Sequence, residues 1–198
     1  MLFKNFLNSK NSKNSKNSKK IKEDLKNLLK NEPLLFKTLK PTYKYSYTKK
    51  TLSRYKKFSN IRVIGMGGSI LGTEAIYDFL KRKIKKKVTF VNNLNSDAEY
   101  HHDKNINLNL IISKSGNTLE TITNANILIK NRDTNIIITE DKNSYLTNLA
   151  NKFKTEILEH KNYVGGRYSV LSEVGMLPAE LMNLNENKFK QFNNLIKN

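Results

Sequence analysis

Between Asn60 and Leu158, short apolar runs alternate with segments whose apolar residues recur at three- and four-residue spacing. Ile61-Arg62-Val63-Ile64, Val88-Thr89-Phe90-Val91, Leu108 to Ser113, Asn135 to Thr139 and Glu156-Ile157-Leu158 are rich in β-branched residues and read as strands. Between them, Leu71 to Arg82, Thr118 to Lys130 and Ser144 to Phe153 have helical spacing, with Leu119, Ile122, Ala125 and Ile129 on one face of the second. Strands that are continuous apolar runs and alternate with helices predict an α/β fold. The expected form is a mainly parallel five-stranded sheet with helices on both faces, a three-layer αβα arrangement of flavodoxin-like type. Ligands of such sheets sit at the carboxyl ends of the strands.

The flanks differ. From Asn8 to Lys19 the triplet Asn-Ser-Lys repeats four times without an apolar face, so residues 1–20 are expected to be a disordered tail. Residues 21–58 form a helical segment. In it, Ile21, Leu25, Leu28 and Leu29 mark a short amphipathic helix, Pro33 and Pro41 bracket an extended link, and Leu52 to Phe58 is a helix leaning on the next domain through Leu52, Tyr55 and Phe58. The α/β domain is expected over 59–184, with a C-terminal helix over 185–198.

Composition narrows the chemistry. The 198 residues are 37% hydrophobic and suit one domain plus a tail. With no cysteine, disulfides, thiolate catalysis and cysteine-ligated metals are excluded. No apolar run reaches the roughly 20 residues of a membrane span, and the apolar start at Met1 is too short and broken for a signal peptide, so a cytoplasmic protein is expected. The net charge of +19 is spread along the chain and no nucleic-acid-binding motif accompanies it, so no specific nucleic-acid partner is expected. A positive field of this size would draw in a phosphorylated ligand.

Two loops at strand ends are unusual. Gly65-Met66-Gly67-Gly68-Ser69-Ile70-Leu71-Gly72 links a strand to a helix, where glycines let an anion approach backbone N–H groups. It is neither a dinucleotide fingerprint, which needs glycine at Ile70, nor a Walker A loop. A purely structural turn stays open for it. Ser113-Lys114-Ser115-Gly116-Asn117-Thr118-Leu119-Glu120-Thr121 gathers three hydroxyls and a lysine at a helix N-terminus, a set of short donors suited to a phosphate. Helix capping by Thr118 or Asn117, with Glu120 or Thr121 in support, is the plainer reading and is compatible with the first. A third motif, Gly165-Gly166-Arg167-Tyr168-Ser169, aims a guanidinium from a flexible backbone. It suits either a developing oxyanion or a carboxylate partner such as Glu173.

Taken in order, these three motifs resemble the glucose-6-phosphate isomerase family, over about Leu52 to Leu184. The middle motif is shared by the wider group of sugar-isomerase (SIS) domains. Many family members carry Ser-Lys-Thr-Phe-Thr-Thr where this chain has Ser-Lys-Ser-Gly-Asn-Thr, so Gly116 and Asn117 depart from the pattern while the hydroxyls stay. The resemblance implies a phosphate held by Ser113, Ser115 and Thr118 with the Lys114 backbone beside them. It places the sugar at Gly68 and Ser69, a cis-enediol(ate) intermediate at Gly166 and Arg167, and Glu120 in a supporting role. It implies interconversion of glucose 6-phosphate and fructose 6-phosphate, with no metal or organic cofactor; acceptance of mannose 6-phosphate stays open. In the family, a glutamate base and a histidine and lysine for ring opening belong to a second SIS domain, and His101, His102 and His160 match none of those positions. A fragment that binds sugar phosphate without turning it over is therefore expected, with a separate second domain or a homodimer as the partner. Val174, Met176, Leu177, Leu181 and Met182 are expected to lack part of their cover. A non-catalytic SIS module that senses a sugar phosphate is the alternative.

Overall fold

The computed structural model describes residues 14–31, 33–94 and 106–191. The first part of the repeat, His101, His102 and the last seven residues of the expected C-terminal helix lie outside them. Five strands, β1 (Asn60–Gly65), β2 (Lys87–Val91), β3 (Leu108–Ile112), β4 (Thr134–Thr139) and β5 (Glu156–Glu159), form one sheet of order β2-β1-β3-β4-β5. Every neighbouring pair is parallel.

Both faces are covered because alternate residues of each strand point to opposite sides. Ile61, Val63, Leu108, Leu110, Ile112, Ile136 and Ile138 build one core with α2 (Lys49–Tyr55), α3 (Leu71–Leu80) and α6 (Glu173–Leu181). Ile64, Ile111 and Ile137 build the other with α4 (Leu119–Leu128) and α5 (Tyr145–Phe153). Leu52, Tyr55 and Phe58 join the first core, as their spacing predicts.

On the second face the register sets Arg62 opposite Asn109, and Asn109 opposite Asn135. Arg62 donates to Asn109 Oδ1 (3.3 Å) and to the Leu128 carbonyl (3.2 Å), and lies 3.9 Å from the Asp133 carboxylate. Asn109 Nδ2 donates to Asn135 Oδ1 at 2.8 Å. A buried cation needs such partners, and this strand order and register bring them together.

Four expectations change. Helix α1 runs Asn14–Asn31, so residues 14–20 of the repeat are helical rather than tail. Extending a helix costs far less than starting one, and the segment from Ile21 supplies the start. The link between Pro33 and Pro41 is not extended throughout but carries a 3₁₀ helix, Leu34–Leu39, because winding lets Leu35, Phe36 and Leu39 turn partly inward. Leu119 is 70% exposed, since it sits in the first turn of α4 beyond the sheet edge. Most importantly, Val174, Met176, Leu177, Leu181 and Met182 are all buried.

The cover comes from upstream. Residues 43–48 cross α6 as a strap. Tyr43 Oη donates to Glu173 Oε2 (2.9 Å) and the Ser46 N–H to Glu173 Oε1 (2.9 Å), while Tyr45 Oη reaches Glu186 of the short helix α7 (Glu186–Phe189) at 3.1 Å. Lys190 closes the arrangement, its Nζ 4.4 Å and 5.0 Å from the ring centroids of Tyr45 and Tyr43. Burial lowers the Lys190 ammonium from its ordinary value and raises the hydroxyls of Tyr43, Tyr45 and Tyr47, the last a buried residue of the strap.

Candidate functional site

The strand order reverses between β1 and β3, and the crevice at such a switch point is where ligands of doubly wound sheets bind. Gly65, the last residue of β1, pairs with Ile112, the last of β3, so the two unusual loops emerge side by side.

The loop after β3 is a knot of hydroxyls. Ser113 Oγ lies 2.9 Å from Thr118 Oγ1 and 3.4 Å from Ser115 Oγ, and the remaining side, Ser115 to Thr118, is 3.5 Å. Ser113 is buried and accepts from the Gly116 N–H (3.2 Å); Ser115 is exposed and accepts from the Asn117 N–H (3.2 Å). Thr118 stands at the N-cap of α4 but makes no side-chain cap bond. Its hydroxyl turns to Ser113 instead, leaving the positive end of α4 without that partner. Nor does Asn117 cap α4: its Oδ1 accepts from Tyr145 N–H (2.8 Å), the first residue of α5. The Leu146 N–H donates to the Gly116 carbonyl (3.1 Å), and Gly116 has φ +69°, with Ser144 Oγ only 2.1 Å from where a Cβ would stand. The two departures from the family pattern thus dock this loop on the start of α5.

Lys114 works sideways. Its Nζ donates to the Asn162 carbonyl (2.8 Å) and lies 3.4 Å from Glu140 Oε1, tying the β3 loop to the ends of β4 and β5. Hydrogen bonding to Lys142 is the main cause that holds the Glu140 carboxyl below its ordinary range, with Lys114 adding to it. His160, 1% exposed, donates its backbone N–H to the Thr139 carbonyl and has Nδ1 3.2 Å from the Lys161 carbonyl. Its Nε2 has no hydrogen-bond partner among the described residues, and burial lowers its pKa.

The loop after β1 is built from backbone. After Met66 the chain makes a 3₁₀ turn over Gly67–Ser69 and enters α3 at Leu71. Gly68 packs on the third motif so closely that a Cβ there would lie 2.3 Å from the Gly166 carbonyl oxygen and 2.8 Å from the Arg167 nitrogen. Buried Ser169 clamps the pair, its hydroxyl 2.7 Å from the Gly166 carbonyl and 3.2 Å from that of Gly68. Arg167 itself is exposed and makes no hydrogen bond or ion pair among the described residues. Glu173, the carboxylate that could have claimed it, is fully buried under the strap.

A phosphoglucose isomerase family model matches residues 13–197. The chain belongs to the phosphoglucose isomerase family. A glucose-6-phosphate isomerase of Methanocaldococcus jannaschii is 39% identical over 142 residues, 64% of this chain and 34% of that protein. One of Mycoplasma genitalium is 33% identical over 162 residues, 71% of this chain and 38% of the relative. This phosphoglucose isomerase family chain thus spans roughly a third of the length of these relatives. A solved structure from Thermus thermophilus, described as a hypothetical protein, aligns with TM-score 0.69 at 20% identity, over 89% of this chain and 47% of that one.

Two clusters therefore meet at the switch point: Ser113, Ser115 and Thr118 on the β3 side, and Gly68, Ser69, Gly166 and Arg167 on the β1 side. Glu120, in the first turn of α4, is half-buried and has no hydrogen bond or ion pair among the described residues. Ser169 and Asn117 are positioning groups: the sequence offers Asn117 only as a cap of α4, and Ser169 only as the end of the third motif. Ser169 stands three residues after Gly166, the spacing at which a hydroxyl folds back on a carbonyl, but the partner from the β1 loop is visible only in three dimensions. A cleft among the described residues lies elsewhere, at the amino ends of β4 and β5 beside Thr51, Arg54 and Tyr55.

Proposed function

We propose that this face binds the phosphate and sugar of an aldose or ketose 6-phosphate and forms one wall of a glucose-6-phosphate isomerase site. The observation that carries the reading is the hydroxyl triangle at the uncapped start of α4, next to a second glycine-built loop. A phosphate of charge near −2 would replace the mutual hydroxyl contacts with three O–H donors and the helix N–H groups, while the +19 chain raises its local concentration. The Lys114 side chain is committed to Asn162 and Glu140, so its backbone is the part offered to the phosphate.

The sugar would lie across Gly68 and Ser69. The unpaired Arg167 guanidinium, carried by Gly166, would face the oxyanion of the enediolate as the proton moves between C2 and C1. Glu120 would act at one remove from the reacting atoms. Proton transfer needs a base within hydrogen-bond reach of the carbon. In this reading that base comes from a second sugar-isomerase domain, in this or another polypeptide. In this reading the reaction needs neither metal nor organic cofactor and runs in the cytoplasm.

Calorimetric titration with fructose 6-phosphate tests the site. Ser115→Ala and Thr118→Ala are each expected to weaken binding about ten- to a hundredfold, the worth of one hydrogen bond to a charged group. A coupled assay of the purified chain is expected to show no ordinary turnover. Wild-type affinity in both variants would remove the phosphate assignment. Full turnover by the chain would remove the idea of an external base.

A further inference from the structure

The segment Lys81 to Lys87 carries six cations, interrupted only by Ile84. It joins the end of α3 to the start of β2, the edge strand, and so lies at the amino ends of the strands, opposite the sugar-phosphate face. Folding enlarges the cluster. Lys86 Nζ donates to the Lys56 carbonyl (2.6 Å) and the Lys87 N–H to the Ser59 carbonyl (3.0 Å), which brings Lys56 and Lys57 of the α2 end alongside. Arg82, Lys83 and Lys85 are exposed and have no hydrogen bond or ion pair among the described residues. Phe79, one turn earlier on α3, is 88% exposed.

Cations at the end of α3 offset its dipole, but that effect fades beyond the last turn. Lys85, Lys86 and Lys87 lie past it, where crowded like charges repel one another, although Lys86 also holds the Lys56 carbonyl. Burial is the main cause that lowers the Lys86 ammonium, with the nearby Lys56 charge adding to it. A bilayer would need a broader apolar face. Leu80 and Ile84 pack into the core, leaving Phe79 as the one large apolar ring on this ridge. A single ring beside a line of cations is what a stacked base and its flanking phosphates require.

We propose that the Lys81–Lys87 ridge, with Lys56, Lys57 and Phe79, binds single-stranded nucleic acid without sequence preference. The cations hold the phosphates and Phe79 stacks on a base. This site is independent of the sugar-phosphate face, and it does not require a recognition motif.

The test is fluorescence anisotropy of the full chain with labelled oligouridylate of about 12 nucleotides, within the usual site size, at several salt concentrations. The triple variant Arg82→Gln/Lys83→Gln/Lys85→Gln is expected to weaken binding at least about tenfold and to lower the slope of log affinity against log salt by about 2. Phe79→Ser is expected to weaken it about fivefold or more with the slope unchanged. The control Lys19→Gln/Lys20→Gln/Lys22→Gln removes equal charge from α1 and is expected to change both much less. Equal losses in the two triple variants would mean a diffuse field and overturn the proposal. So would absence of binding at physiological salt, or binding to anionic phosphatidylserine vesicles that oligouridylate does not displace. Circular dichroism confirms that each variant is folded, and retained fructose 6-phosphate binding separates this ridge from the other face.

Discussion

The loops after β1 and β3 sit side by side and are built on opposite principles. The β1 loop offers main chain: Gly68 lies against Gly166 and Arg167 with no room for a methyl group, so its shape is set by what is missing from the side chain. The β3 loop offers side chains: Ser113, Ser115 and Thr118 hold one another, and Gly116 and Asn117 fasten the loop to α5. A backbone surface is rigid and indifferent to pH. A hydroxyl knot is adaptable, and here it stands on the Lys114–Glu140 pair beside buried His160. The difference separates a loop that can only be displaced from one that can be retuned.

The largest effect should come from breaking the first loop. Gly68→Ala places a methyl group 2.3 Å from a carbonyl oxygen that is itself main chain, so the two motifs must part. A loss of about 3 kcal/mol in urea unfolding is expected, with sugar-phosphate binding abolished. Gly116→Ala is the matched change in the second loop. Its φ of +69° disfavours alanine, and the methyl group would stand 2.1 Å from Ser144 Oγ, which can rotate, and 2.6 Å from Ser144 Cβ, so the start of α5 must also shift. A smaller loss of about 1–2 kcal/mol is expected, with binding weakened rather than lost. If the two substitutions cost the same, the contrast between the loops fails.

The third effect is smaller and concerns pH. Burial lowers the folded pKa of His160 from its ordinary value of 6.5, so the unfolded chain binds its proton more readily. The associated stability is present above pH 6.5 and is lost as pH falls toward the folded pKa, by up to about 1.4 kcal/mol per pH unit. Lys114 adds to the lowering, while Glu140 and the Lys161 carbonyl oppose it. His160→Gln is expected to flatten denaturant midpoints measured between about pH 5 and 6.5. An unchanged slope would mean that the β3 side stands on no titratable support.

The sheet was legible because each strand is a nearly unbroken apolar run and each helix has one apolar stripe. The site loops were legible for a different reason: Ser113, Ser115 and Thr118 are close in sequence, so a short piece of chain brings them together. What could not be read depends on distant partners. Gly68 and Gly166 meet only because α3 and α6 pack together. Arg62 sits within a strand pattern as though it were apolar, and its neutralisation by Asp133 and Asn109 depends on the register. The cover over Val174 to Met182 was misjudged because it comes from the strap, more than a hundred residues earlier. Asn117, close to α4 in sequence, serves α5 instead.

That strap has a consequence for the growing chain on the ribosome. Tyr43 is separated by 130 residues from Glu173, whose carboxylate it binds. At about 5–20 residues per second, the strap must wait on the order of ten seconds for its anchor to be made. During that wait Tyr43, Tyr45 and Tyr47 lie exposed beside a string of lysines, a sticky but charged segment that repels its own kind. The last native contacts to close would then be those that join the two sides of the sequence, once Glu173, Glu186 and Lys190 emerge.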